Sequence, residues 1–135
     1  MSKIKVYAAG KMQGLSHEEM NAWRLELKNI VEDVCDGEVK LISPVDFYNF
    51  LLDPSTYTDR EVMEFDLHAV ENCNIIVVNL DRPNSIGTAI ELYHAYYIKK
   101  IPVLAYGGSL GEVHPWVRCC ITKHFDAPKP LAEHI

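Results

Sequence analysis

The chain has no apolar run near the roughly 20 residues needed to cross a bilayer. Its first ten residues, MSKIKVYAAG, pass directly into a strand pattern with no apolar leader. A cytoplasmic protein with no membrane partner is expected. Basic residues are also scarce: 13 Lys and Arg stand against 19 Asp and Glu, a net charge of −6. Binding along a nucleic-acid backbone needs a basic face, so no nucleic-acid polymer is expected as partner. A small anionic ligand stays open, because a local nest of N–H groups can hold one. Cysteine and histidine occur, but not in metal-binding order. Cys35, Cys73, Cys119 and Cys120 form no C-x-x-C pair, and the six histidines show no H-x-x-x-H spacing. Free thiols in a reducing compartment, and no metal, are the expectation. The glycine-rich phosphate loops are missing too. AGKMQG, residues 9–14, matches neither Gly-x-Gly-x-x-Gly nor Gly-Lys-Ser/Thr. No cofactor is expected.

What is present is an alternation of strand and helix signals, with no repeat, linker or low-complexity tract. IKVYAA, Ile4 to Ala9, is β-rich and stops at Gly10. Ser16-His17-Glu18-Glu19 reads as a capping box, followed by Met20, Trp23, Leu27, Ile30, Val31 and Val34 at helical spacing, with an end near Asp36-Gly37. VKLIS, Val39 to Ser43, is a short strand closed by Pro44. Val45 to Tyr57 is aromatic and irregular, and reads as a long loop with a helical turn. Thr58 to Glu61 is a second capping box, opening a helix to about Asn72. NIIVVNL, Asn74 to Leu80, is a continuous apolar strand of the kind buried at the centre of a parallel sheet. A helix then runs to about Lys100, IPVLAYG forms the fourth strand, and a short fifth is expected around Lys123 to Phe125. Residues 1–135 therefore read as one three-layer α/β domain, flavodoxin-like or Rossmann-like, with a parallel sheet of about five strands. Such sheets bind ligands beyond their C-terminal strand ends.

Two acids interrupt helical patterns near that edge. In the helix after Thr58, Val62, Phe65, Ala69 and Cys73 make the expected apolar stripe, flanked by Asp66 and Val70. A desolvated Asp66 would have a raised pKa and suit a proton donor; alternatively it is a rim acid bonded to a nearby N–H. In the helix after the central strand, Ile86, Ala89, Ile90, Tyr93 and Tyr97 make the expected packing stripe, with Glu91 beside it. Its side chain leans back toward the helix N-terminus, whose positive end favours the ionised form. An ionised glutamate there can act as nucleophile or base, or can simply stabilise the helix. Gly87-Thr88 permits close backbone approach, and Tyr7 stands at the mouth of the first strand. Tyr48 and Tyr57 can stack on a planar ring or cover a core.

Taken together, KVYAAGKMQG, EFDLHAVENCNIIVVNLDRPNSIGTAIELYHA and IPVLAYGG resemble the nucleoside 2-deoxyribosyltransferase family over most of the chain. The resemblance rests on Tyr at the end of strand one, Asp-Leu before an apolar strand, and Gly-Thr-x-x-Glu-Leu. It implies that Glu91 attacks the anomeric carbon of a deoxyribose, Asp66 handles the proton of the departing base, and Tyr7 orients the nucleophile. It implies substrate contacts from Gly10, Lys11, Met12, Ser85, Gly87 and Thr88. The implied partners are nucleosides, nucleotides and nucleobases, and the implied assembly is a homo-oligomer, a dimer or higher. The residue types suit an oxocarbenium-like transition state between two carboxyls, which lie ~5–5.5 Å apart in retaining glycosidases. Ser85 occupies a position that is often acidic in the transferases, whereas the related 2'-deoxynucleoside 5'-phosphate N-hydrolases carry serine. Deoxyribosyl transfer is thus expected, with hydrolysis of a deoxynucleoside 5'-monophosphate as the alternative. A non-catalytic nucleotide sensor on the same fold is the alternative of another class.

Overall fold

The computed structural model of the chain describes residues 3–12, 14–47, 57–82 and 85–135. Five strands form one parallel sheet: β1 (Ile4–Ala9), β2 (Val39–Ile42), β3 (Ile75–Asn79), β4 (Val103–Tyr106) and β5 (Lys123–Phe125). Their order is β2-β1-β3-β4-β5, so the strand order reverses between β1 and β3. Ligands of open α/β sheets bind at such a reversal. The register sets Tyr7 beside Ile42 on one side and Ile76 on the other.

Helices cover both sheet faces. Strand alternation sends Val6 and Ala8 to one core, with Leu27, Val31, Leu104 and Leu131. That side is covered by α1 (His17–Val34) and α5 (Pro128–His134). Tyr7 and Ala9 enter the other core, with Val70, Ile76, Val78, Leu92 and Ala95. It is covered by α2 (Asp59–Glu71), α3 (Ile86–Tyr93) and α4 (Pro115–Arg118). The three-layer α/β architecture expected from the sequence is therefore present.

The local signals explain where the helices start. Ser16 and Thr58 close reciprocal capping boxes with Glu19 and Glu61, each bond at 3.1 Å. Helix ends fall a residue or two before the expected ones. α1 stops at Val34 with Asp36 and Gly37 in the left-handed region, and α2 stops at Glu71. The irregular stretch after β2 begins with a 3₁₀ turn, Pro44–Phe47. Residues 48–56 of that expected loop, Tyr48 among them, lie outside the described residues, as does Asn84 ahead of α3, while Tyr57 is exposed.

Two expectations about helix faces are overturned. The α3 stripe of Ile86, Ile90, Tyr93 and Tyr97 faces outward: these residues are 81%, 38%, 52% and 42% exposed. Thr88, Leu92 and Ala95, at i, i+4 and i+7, face the core instead, and a π-helical turn, His94–Ile98, completes the element. Periodicity defines a stripe but not the direction it faces, and this helix has two. In α2 the buried line runs through Val70 and Cys73, while Phe65 is half exposed. Asp66, half-buried one turn before Val70, stands at the edge of that line.

The reversed α3 face predicts the cost of truncation. Leu92→Ala should lose ~2–5 kcal/mol in denaturant unfolding, as fully buried leucines do. A loss below ~1 kcal/mol would place Leu92 outside the core.

Candidate active site

β1 places Tyr7 near its C-terminal end, fully buried and pointing to the α2/α3 side. A phenol there needs a polar partner. It has one: the Tyr7 hydroxyl donates to Oε2 of Glu91. Glu91 sits one turn into α3, one position before the buried Leu92, so its carboxyl reaches back to the sheet. Asp66 approaches from α2, half-buried and near enough for its charge to act on both Tyr7 and Glu91. Asp66 and Glu91, each 59 or more residues beyond Tyr7 in the sequence, thus meet it beside the reversal in strand order.

Burial dominates the electrostatics. It pushes the Glu91 carboxyl up to about 7, with Asp66 adding to the rise. The Tyr7 hydrogen bond and the positive charge of Arg24 work in the opposite direction. Burial thus outweighs the preference for the ionised form expected from the helix end. A helix terminus contributes ~0.3–1 kcal/mol, and its effect fades within the first turn, whereas desolvation acts on the whole carboxylate. Burial, with Glu91 and Asp66 alongside, also raises Tyr7 well above the usual tyrosine range. Tyr7 is therefore a neutral hydrogen-bond donor near neutral pH.

Ser85 caps α3. Its Oγ accepts from the Thr88 N–H at 3.3 Å and lies 3.1 Å from Thr88 Oγ1. Thr88 is buried, whereas Gly87 is exposed. Only Ser85 Oγ, at 3.8 Å, lies within 4 Å of where a Gly87 side chain would begin. No neighbour among the described residues requires glycine there. Gly10 is different: a Cβ would fall 2.6 Å from the Trp23 indole. Lys11 and Met12 follow Gly10 in the same turn, half-buried, and Lys11 forms no ion pair among the described residues. A cavity of about 350 Å³ opens beyond β3 and β4, bordered by Leu80, Asp81, Gly108, Ser109 and His114. It lies one strand over from Tyr7.

One residue beside the acids did not emerge from sequence reasoning. Arg24 is 1% exposed, and its charge acts on Tyr7 and Glu91. Its sequence signal is its place between Met20 and Leu27 on the buried face of α1. A cation inside an apolar stripe is as anomalous as a buried acid. Among the described residues, no group of His, Cys, Asp or Glu is placed to hold a metal ion.

The fold defines the class, an α/β domain with acids gathered at its strand-order reversal. No family model and no curated protein matches the sequence. Among solved structures, the chain is similar to a conserved protein from Enterococcus faecalis V583, with TM-score 0.77 and 21% identity over 97% of this chain and 96% of that one. It is also similar to a 2-deoxyribosyltransferase from Bacillus psychrosaccharolyticus, with TM-score 0.67 and 20% identity over 97% of this chain and 91% of that one. At these identities the likeness establishes the shared fold.

The elevated Glu91 pKa has a thermodynamic consequence. The folded state binds this proton more tightly than the unfolded chain, whose ordinary value is 4.5. Its contribution is therefore favourable below pH 4.5 and is lost as the pH rises to about 7. Glu91→Gln removes that term. Relative to wild type, the variant should gain stability from pH 4.5 to 8, on the order of 3 kcal/mol at the upper end. Unfolding curves across that range check it; a constant difference would mean that Glu91 titrates normally.

Proposed function

We propose that this chain cleaves the N-glycosidic bond of 2'-deoxyribonucleosides or their 5'-monophosphates and transfers the deoxyribose to another nucleobase. The observation that carries this reading is the Tyr7 hydrogen bond to a buried Glu91 carboxyl, with Asp66 beside both. A carboxyl near pKa 7 is partly ionised at neutral pH, as a nucleophile must be. Tyr7 engages Oε2 and leaves Oε1 to attack the anomeric carbon as the bond to the base breaks. Asp66, as the acid, delivers a proton to the leaving base. A second base, or water, then attacks the sugar ester, returning its proton to Asp66 and releasing the Glu91 carboxylate. The fold shared with a 2-deoxyribosyltransferase adds support.

Transfer to water is the second reading, favoured by one observation. Ser85 caps α3 with a hydroxyl rather than an acid, and Gly87 beside it is open. A helix N-terminus with no acid on it accepts a phosphate readily. Gly10, Lys11 and Met12 would line the other side of the same substrate, and Thr88 would fix the cap. This arrangement supports 5'-monophosphates as substrates.

The test is incubation with deoxynucleosides, their 5'-monophosphates and the ribo counterparts, with and without a free acceptor base. Glu91→Gln should lose about 10³-fold or more in turnover, and wild type without acceptor should carry one deoxyribosyl unit on the Glu91 peptide. Ribo substrates should react up to ~10²-fold more slowly. Ser85→Asp should weaken the monophosphate selectively. Near-normal turnover in Glu91→Gln would end the reading, and product formed only with acceptor base separates transfer from hydrolysis.

We also propose that the chain works as a homo-oligomer. The support is the outward stripe of Ile86, Ile90, Tyr93 and Tyr97 on one helix face, with Phe65 and Trp116 also among the exposed large apolar residues. Tyr93 and Tyr97 stack at 5.4 Å between ring centroids, which makes a flat aromatic surface. Ile86→Asp should lower the sedimenting mass to that of one chain. A monomeric wild type at micromolar concentration would refute self-association through this face.

A further inference from the structure

Arg24 is the most buried charged side chain of the described residues, at 1% exposure. Its guanidinium meets no carboxylate within ion-pair distance among those residues. A buried cation left without hydrogen bonds would be strongly destabilising. Arg24 instead donates to three main-chain carbonyls. Nε bonds Ala8 O at 3.2 Å, Nη2 bonds Gly10 O at 3.2 Å, and Nη1 bonds Met20 O at 2.6 Å. Two of these follow Tyr7 closely: Ala8 is the next residue of β1, and Gly10 lies just beyond its end. The Trp23 ring lies 4.3 Å from the guanidinium carbon and closes against Gly10.

We propose that Arg24 is a positioning residue for the Tyr7–Glu91 pair. Its fork fixes the end of β1 that carries Tyr7, and its charge balances the acids gathered on the opposite side of that strand. The proposal rests on Glu91 being the working carboxylate. The charged and titratable groups around the pair come from every adjoining element: Tyr7 on β1, Asp66 on α2 and Arg24 on α1 act on Glu91, while Tyr106 on β4 and Asp46 after β2 also act on Arg24. Burial lowers Arg24 to about 10, so it remains charged at neutral pH. A planar five-donor fork explains why arginine rather than lysine suits the place. Lysine has three rotatable donors and no fixed plane to span separate carbonyls.

Two substitutions separate charge from geometry, and each is read in its own way. Arg24→Met removes the cation at similar length. The Glu91 side-chain titration, followed by carbon NMR without substrate, should then move up by about one pH unit. The acid limb of kcat/KM should move with it. Arg24→Lys keeps the charge and loses the fork. Its Glu91 titration should stay near wild type, while kcat falls about tenfold with KM little changed. A merely structural role would lower the melting temperature and leave the Glu91 titration in place. An unmoved titration in folded Arg24→Met overturns the charge role, and a wild-type kcat in Arg24→Lys overturns the positioning role. If Arg24→Met does not fold, the Lys variant still decides the positioning role through kcat. The titration needs no substrate, so failure of the glycosidic reading, seen as an active Glu91→Gln enzyme, remains distinguishable from failure here.

Discussion

A tyrosine hydroxyl buried under α3 has to find a partner, and a carboxyl brought beneath that helix has to find a donor. The Tyr7–Glu91 hydrogen bond meets both needs. It also fixes how α3 rolls on the sheet. Residues of a helix are set about 100° apart, so a roll that aims Glu91 at β1 turns Thr88 and Leu92 inward with it. Ile86, Ile90 and Tyr93 are then carried to the outside. The exposed apolar stripe is the geometric counterpart of the inward acid. One hydrogen bond between β1 and α3 thereby sets the core face, the outer face and the position of the carboxyl.

The electrostatic balance at this point is decided by magnitude. Two influences favour an ionised Glu91 locally, the Tyr7 hydroxyl and the Arg24 charge, and burial opposes them. The net result is a carboxyl near 7 rather than near its ordinary value. That is the regime in which a carboxyl changes charge most easily at neutral pH. Asp66 sharpens the contrast, since two acids close together resist simultaneous ionisation.

Much of the fold was legible from short-range signals. The capping boxes at Ser16 and Thr58 formed as read, because a cap is a contact between residues three apart. The apolar strand at Ile75–Asn79 and the short Lys123–Phe125 strand were equally visible. Asp66 and Glu91 stand out against the stripes of their helices and Tyr7 by its place at the mouth of its strand, and the fold brings the three together. What stayed hidden depends on tertiary contacts. Nothing local says whether Ile86-Ile90-Tyr93 or Thr88-Leu92-Ala95 meets the sheet. Arg24 is hidden in the same way, because a helical arginine is usually solvated and its partners Ala8 and Gly10 are main-chain groups that leave no mark in side-chain chemistry.

The two sides of β1 are consequently not independent. On the α2/α3 side, Tyr7 bonds an acid; on the α1 side, the carbonyls of Ala8 and Gly10 receive a cation. The opposite charges are separated by one strand thickness and share that strand's backbone. A shift of β1 that lengthened the Arg24 bonds would displace the Tyr7 hydroxyl as well. The Gly10 position permits little such movement, because the Trp23 indole fills the space where a side chain would stand. The surface ion pair between Arg82 and Glu19, 3.4 Å apart, spans the same edge from the β3 side to α1, but its exposure leaves it worth little. Rigidity at the mouth of the site therefore comes from buried main-chain bonds and an indole ring, which salt does not screen, rather than from the charges at its rim.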